Sequence, residues 1–411
     1  MSWLTRVVAV RPEEVRAMLW SFAYFFCLLA AYYILRPLRD EMGVAGGVRN
    51  LQWLFTATFL VMLAAVPLYG ALVARVRRRI FIPLVYHFFV LNLAIFWLLL
   101  TMELERQLVA RVFFVWVSVF VLFAVSVFWS FMADVWRSEQ GKRLYGFIAA
   151  GGSAGALAGP ALTIVLAERI GTTNLLLMAA LLLEAAVFCA RRLEGVQSNT
   201  SVKEQAVGGG AIDGLLMVLR SPYIAGVTLW VALLSIAATF LYFEQARIVA
   251  SASEDPAVRT RIFASVDLAV GVLTLLVQFV ATGKLIARFG VGPALALLPV
   301  VFAAGFAVLA AAPVLAVVIA FQALQRTANF AISNPAREIL FTVVARDEKY
   351  KAKNVIDIVA VRGADALGGW LVTGLRALGS AAIPAAAIAL AAAGLALSIA
   401  LGRAQERRAR L

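Results

Sequence analysis

Long apolar stretches alternate with short polar ones along the whole chain. Runs of about 20 apolar residues, the length that crosses a bilayer as a helix, recur from one end to the other. The pattern predicts twelve transmembrane helices, at about residues 17–35, 51–74, 80–101, 109–133, 146–167, 173–190, 222–243, 262–283, 290–312, 314–341, 354–375 and 381–402. We therefore expect an all-α membrane protein, because only a helix closes all its backbone hydrogen bonds within one span.

The composition agrees with this prediction and narrows the classes of function. The chain has 411 residues, 63% of them hydrophobic and 15% charged, whereas soluble domains are about half apolar and a quarter charged. The net charge of +14 is explained by basic loops beside a membrane, so the expected partner is the lipid bilayer and not nucleic acid. The sequence shows no nucleophile–base set and no Cys/His cluster, and it predicts neither an enzyme nor a metal or cofactor.

A polar gap divides the chain into two halves. Residues 191–220 are rich in Gly, Ser, Asn and charge, which is the composition of a linker. We expect a six-helix bundle at 1–190, a cytoplasmic linker at 191–220, and a second six-helix bundle with a basic C-terminal tail at 221–411. The sequence gives no reason to expect more than a monomer.

The two halves carry traces of a repeat. Sliding the chain until Arg137 falls on Arg346 also lays Glu139 on Glu348, Lys142 on Lys351 and Gly159 on Gly368. Two parallel six-helix repeats are the layout of the major facilitator transporters, which bind their substrate near the bilayer midplane. The sequence therefore predicts two pseudo-symmetric bundles of that fold.

Loop charges predict how the chain is oriented. Lys and Arg accumulate in alternate loops, and placing these loops inside puts both termini and the linker in the cytoplasm. The first apolar run is long enough to span and lacks a small-residue cleavage site, so no cleavable signal is predicted. We expect a multi-pass protein of the cell (inner) membrane.

Helix five contains glycines at one spacing. Gly151, Gly155 and Gly159 are four residues apart and Pro160 follows. This spacing places the glycines on one helix face, where they allow a second helix to approach closely. The segment resembles the glycine–proline motif on helix five of facilitator antiporters.

Polar residues lie at corresponding ends of helices one and seven. Arg36 and Arg39 share a helix face, with Asp40 beside them. Two guanidiniums can hold a carboxylate or phosphate through paired hydrogen bonds, or they can form an interfacial cluster that reaches water. On helix seven, Glu244 is spaced to pair with Arg247; it could equally meet Arg36 or Arg39 across the halves, as an external gate.

Helices ten and eleven carry the densest set of polar residues inside the predicted spans. The members are Arg326, Asn329, Arg337 and Glu338 on helix ten, and Asp357, Arg362 and Asp365 on helix eleven. On an unbroken helix Arg326, Asn329 and Arg337 fall close to one stripe. A charge at the bilayer centre costs roughly 2.5–3.5 kcal/mol, so these groups must pair or face water. The alternatives are a packing network that joins two helices and the wall of a transport path.

These segments resemble the nucleotide (ATP:ADP) exchanger family of plastids and intracellular bacteria, and more closely its uncharacterised bacterial relatives. In the family's first-helix motif ILRDTKD, Arg36 matches the arginine, Asp40 the last aspartate, and Arg39 stands at the lysine. The family's DPTKE matches residues 334–338, with Arg337 at its lysine, and its KAAIDVV matches 353–359. Helix four here lacks the family's glutamate, and Asp365 falls near its helix-eleven lysine.

The sequence thus predicts a secondary active transporter that moves an organic anion, with nucleotides and other phosphorylated metabolites as candidates. The residues assigned to substrate binding are Arg36, Arg39, Arg326, Asn329 and Arg337, and those assigned to gating or coupling are Asp40, Glu244, Arg247, Glu338, Asp357, Arg362 and Asp365. Two alternatives remain open. One is a lipid or amphiphile transporter on the same fold, and the other is a membrane scaffold or regulator whose buried charges all pair.

Overall fold

The computed structural model describes residues 10–75, 78–194, 218, 220–345, 348, 352–353 and 355–410. Residues 195–217 of the predicted linker lie outside this part of the chain. The described residues form twelve long helices and no β-strand. The helices are α1 (Val15–Ala45), α2 (Leu51–Arg75), α3 (Arg78–Thr101), α4 (Arg106–Val135), α5 (Ser138–Ile170), α6 (Leu175–Glu194), α7 (Pro222–Ala252), α8 (Pro256–Phe289), α9 (Val291–Ala311), α10 (Leu315–Val343), α11 (Val355–Ala360, continued by Val361–Arg376) and α12 (Ala382–Ala409).

Within the described residues, ten helices are long and apolar enough to cross a membrane, all except α6 and α11. Several predicted boundaries were wrong, including the end of α1, the start of α5, the end of α7 and the start of α8. Helix α1 continues ten residues past its predicted end at 35, because its terminal charges pair with other groups of the protein and need no exit to water. Helix α8 starts at Pro256, before the predicted 262, and proline suits the first turn of a helix because that turn leaves its N–H groups unbonded.

The chain forms two compact units, which we call unit one and unit two. Unit one contains Met1–Gly46, Ala64–Ala206 and Asp255–Leu268, whereas unit two contains Gly47–Leu63, Val207–Glu254 and Ala269–Leu411. Each unit therefore includes one segment from the other half of the sequence. The first part of α2 belongs to unit two, and the first part of α8 belongs to unit one.

Each unit is built around its own central helix. In unit one α1 packs against α4, α5 and α6, and in unit two α7 packs against α10, α11 and α12. Since the predicted repeat lays α1 on α7, the two units use the same packing scheme. The long apolar faces of these helices are buried against one another, including Tyr24 and Phe128 in unit one and Phe240 and Phe341 in unit two.

Glycine contacts confirm the register of this repeat. A Cβ atom on Gly159 of α5 would lie 2.7 Å from the carbonyl oxygen of Ala30 on α1. A Cβ atom on Gly368 of α11 would lie 3.0 Å from the Cβ of Thr239 on α7. The slide that lays Gly159 on Gly368 also lays Ala30 on Thr239. The predicted close approach at the helix-five glycines is confirmed as well, because a side chain at Gly155 would collide with the backbone of Phe26.

Candidate functional site

Two buried ion pairs join α1 to the first part of α8 in unit one. The Arg259 guanidinium donates to Glu41 with an Nη2–Oε1 distance of 2.6 Å, and both side chains are buried. Arg36 faces the buried Asp267, with 3.6 Å between Nη1 and Oδ1. The charges are reversed between the two pairs, since α1 supplies the acid in one and the base in the other. A buried charge that loses its partner is expensive, so these pairs hold the two helices in one register.

The two arginines assigned to the end of α1 are covered by protein. Arg36 and Arg39 side chains are each 17% exposed, which disfavours a cluster that reaches water. Arg39 donates to Asp40 from Nη2 at 2.6 Å and from Nε at 3.0 Å, and its guanidinium lies 4.9 Å from the centre of the Phe114 ring. Both guanidiniums therefore face a carboxylate, which an anionic ligand would have to displace.

In unit two, Arg337 and Glu338 of α10 face Asp357 of α11 and Lys353, which precedes α11; we call these four alternating charges the ladder. Arg337 lies 3.2 Å from Asp357 (Nη1–Oδ1), and Lys353 donates to both oxygens of Glu338 at 2.7 and 2.8 Å. Asp357 and Glu338 are each 46% exposed, so one side of the ladder is open. Lys353, which was not assigned to the site from the sequence, completes it.

A second set of contacts lies further along α11. Arg362 donates to Asp365 at 3.2 Å, the spacing expected from the sequence, and the Thr239 hydroxyl on α7 lies 3.3 Å from the same carboxylate. On α7, Glu244 accepts from Arg247 at 2.6 Å and lies 3.7 Å from Arg376 of α11. The pairing of Glu244 with Arg247 that the sequence offers within one helix is thus formed.

Three π-helical segments interrupt unit-two helices near these charges. They span Gln278–Thr282 in α8, Asn329–Ser333 in α10 and Val355–Ala360 in α11. The expected stripe of Arg326, Asn329 and Arg337 was wrong, because it assumed an unbroken α-helix. A π-turn adds one residue and so rotates everything after it by about 100°.

Side chains of one π-segment satisfy the carbonyl groups of another. The Thr282 hydroxyl donates to the carbonyl oxygen of Ala331 at 2.8 Å, and the Gln278 amide approaches that of Phe330 at 3.4 Å. Wide turns leave carbonyl groups poorly bonded, and π-turns inside α-helices often mark functional positions. Where α8 meets α10, both backbones depart from the regular α-helix, and side chains of α8 stabilise the α10 segment by bonding to its carbonyl groups.

Sequence reasoning missed the α8 side of the unit-one pairs. Arg259 precedes the predicted start of α8 at residue 262, and the local pattern around Asp267 does not mark it as a site residue. Pro256 was the signal that could have placed Arg259 on the helix. In the described residues, no group of three or more His, Cys, Asp or Glu could hold a metal ion. What the arrangement can do chemically is exchange partners, because each arginine pairs with a carboxylate that an anion can replace.

No protein-family profile and no curated protein matches this chain. Solved structures do match along nearly its whole length. A bacterial homologue of the iron transporter ferroportin in an inward-facing state has a TM-score of 0.69 at 11% identity, covering 96% of this chain and 100% of its own.

Two further structures match in the same way. The nucleoside transporter NupG has a TM-score of 0.62 at 13% identity, covering 95% of this chain and 98% of its own. A bacterial homologue of the human lysosomal transporter Spinster, inward-facing and unoccupied, has a TM-score of 0.58 at 13% identity, covering 98% of both chains. With twelve helices in two repeated units, this chain is an all-α membrane protein with the major facilitator fold.

Proposed function

We propose that this protein is a secondary active transporter that moves an organic anion by alternating access. The observation that carries the proposal is the ladder of Arg337, Asp357, Glu338 and Lys353, whose two carboxylates are half exposed on helices of a membrane fold. Charged groups within membrane segments face other helices or a watery cavity. The open side of the ladder supports a transport path, whereas the scaffold alternative predicts buried charges that all pair and leave no cavity.

Anion binding is proposed to proceed by exchange of partners. A carboxylate or phosphate of the substrate replaces Asp357 beside Arg337, because a guanidinium binds either group through two parallel hydrogen bonds. Asn329 is the first residue of the π-segment of α10, and Arg326 lies three residues before it. Both remain proposed ligands, as do Arg36 and Arg39 in unit one. Glu338, Arg362 and Asp365 then position the site or carry coupled protons.

The first parts of α2 and α8, each of which belongs to the unit formed mainly by the other half of the sequence, supply the gate in this proposal. The first part of α8 is tied to α1 by the Arg36–Asp267 and Arg259–Glu41 pairs. The first part of α2 is tied to α11, where the Trp53 and Trp370 rings meet at 4.7 Å and Trp370 Nε1 donates to Thr56 at 3.1 Å. In the predicted orientation these ends face outside. Opening that side requires both ties to break, and closing it re-forms them.

The ion pairs also bear on the charge of the substrate. Arg36, Arg39 and Arg337 each face a carboxylate, so little positive charge is left to balance an anion. The resemblance to nucleotide exchangers and the fold shared with a nucleoside transporter favour a nucleotide or related phosphorylated metabolite. The charge balance favours a substrate with one or two negative charges over fully ionised ATP, which would bury uncompensated charge.

Counterflow in proteoliposomes tests this function. Vesicles containing the purified chain are loaded with one compound at high concentration and given trace radiolabelled ATP, ADP, AMP, sugar phosphates or dicarboxylates outside. We expect accumulation of at least one labelled anion and faster uptake of the less charged members of a series. Empty vesicles and the Arg337→Ala variant are the controls. Absence of uptake across the whole panel, with fluorescent-lipid movement detected instead, would favour the lipid-transporter alternative.

A further inference from the structure

A polar pair lies on an exposed face of unit one, on two helices that carry none of the charges discussed above. His87 of α3 and Glu184 of α6 approach to 3.5 Å (Nε2–Oε2), and their side chains are 45% and 42% exposed. His87 Nδ1 lies 2.6 Å from the carbonyl oxygen of Pro83. Since a carbonyl oxygen only accepts, Nδ1 is the donor there, and Nε2 and the Glu184 carboxyl group share whatever proton the pair holds.

Both residues sit in the middle of their helices. His87 is nine residues from the start of α3, and Glu184 is nine residues from the start of α6. The segment of α3 that is apolar enough to span a membrane begins at Ile82, so at 1.5 Å per residue His87 lies about 8 Å inside it, and Glu184 lies about 13 Å from the start of α6. Both distances fall within a hydrocarbon layer about 30 Å thick. Both side chains therefore lie within the apolar part of their helices.

The surroundings of the pair are apolar and exposed. Leu84, Phe88 and Leu91 lie on the same side of α3, and Leu181 and Phe188 lie on α6 one helical turn either side of Glu184. These side chains suit contact with lipid tails. The His–Glu pair is thus a polar island on an otherwise lipid-compatible face.

Hydrogen-bonding capacity remains unused in this island. At 3.5 Å the contact is too long for a strong hydrogen bond, and the described residues provide no other partner for the Glu184 carboxyl group. Polar groups at this depth are rarely left facing lipid, and helices in membranes associate through such groups. A further partner is therefore called for.

We propose that this face of α3 and α6 is an interface between two copies of the chain. A two-fold contact requires a surface that complements itself, and a donor beside an acceptor meets that requirement. In the dimer, His87 of each copy bonds Glu184 of the other copy. The flanking leucines and phenylalanines pack against each other across the two-fold axis. This differs from the monomer expected from the sequence, and it does not depend on the proposed substrate.

Energy transfer between full-length chains in vesicles tests the interface. Two populations carrying donor and acceptor fluorescent proteins at the C-terminus are mixed over a range of chain-to-lipid ratios. We expect transfer above the level set by random proximity, and an apparent association constant lowered about tenfold in His87→Leu/Glu184→Leu, from the strength of polar contacts between membrane helices. Glu184→Gln, which keeps the shape of the side chain, should weaken association less.

Two further variants test whether association depends on this pair itself or on polar residues of α3 in general. Asn92→Leu removes a polar group that bonds the backbone of its own helix and lies about 140° around α3 from His87, so it should leave association unchanged. Exchanging the pair, His87→Glu with Glu184→His, should restore association that His87→Glu alone abolishes. Random-level transfer for the native chain at every density, or equal transfer in the leucine double variant, overturns the proposal.

Discussion

Arg36 on α1 and Asp267 on α8 face each other inside unit one, with 3.6 Å between Nη1 and Oδ1. They lie far apart in the sequence, and the contact joins a helix of the first half to the opening segment of a helix from the second. Asp267 is buried and Arg36 nearly so. A transporter that closes one side by joining these helices must separate this pair to open it, and that requirement makes the pair testable.

Asp267→Asn should destabilise unit one and impair transport. Removing one partner leaves a buried guanidinium without its carboxylate, which costs about 3 kcal/mol and should lower the Tm measured in detergent. Arg36→Leu/Asp267→Leu should recover most of that stability, because an apolar pair of similar volume replaces the charges. Transport should stay impaired in the double variant. Full activity of Arg36→Leu/Asp267→Leu would show that the pair serves folding alone.

Asp357→Asn should change substrate handling more than stability. The substitution removes the group that competes with the anion for Arg337, so we expect a lower KM together with slower turnover in proteoliposomes. Glu168→Gln is a matched control, because the Glu168–Arg261 pair is exposed on both sides and such pairs contribute about 0–1 kcal/mol. An unchanged KM in Asp357→Asn would argue against partner exchange at Arg337.

Gly155→Ala and Gly146→Ala make a paired test of helix packing on α5. A Cβ on Gly155 collides with the Phe26 backbone of α1, whereas a Cβ on Gly146 meets nothing within 4 Å. We expect Gly155→Ala to lower the Tm clearly. Gly146→Ala should be neutral or stabilising by up to about 1 kcal/mol, since alanine favours helix over glycine. Equal effects of the two substitutions would contradict the close α1–α5 contact.

Thr282→Val should loosen the joined π-segments of α8 and α10. It deletes the hydroxyl that donates to the Ala331 carbonyl oxygen, at a cost of about 1 kcal/mol. Hydrogen exchange at residues 329–333, measured by mass spectrometry, should become faster. Thr373→Val is the control, because that hydroxyl bonds a carbonyl within its own helix. Identical exchange in both variants would mean that Thr282 does not support the α10 segment.

The sequence by itself determined the number of helices, the all-α class and the register of the repeat. Twenty apolar residues in a row leave the backbone one way to satisfy its hydrogen bonds in lipid, and Gly159 over Gly368 already marked the matching helix contacts. Pairing of Arg362 with Asp365 also followed from spacing, because residues three apart on a helix are neighbours.

The tertiary structure alone decided which distant charges meet. Nothing in the local pattern around Arg36 identifies Asp267, nor does the loop-like context of Arg259 identify Glu41, because these pairs depend on which helix ends pack together. The sequence did not predict the π-segments either, because the residues Asn329–Ser333 are compatible with an ordinary α-helix. The wider turn is stabilised by a residue of another helix, such as Thr282. Helix periodicity is local, whereas partner choice for a buried charge is set by the packing of the whole unit.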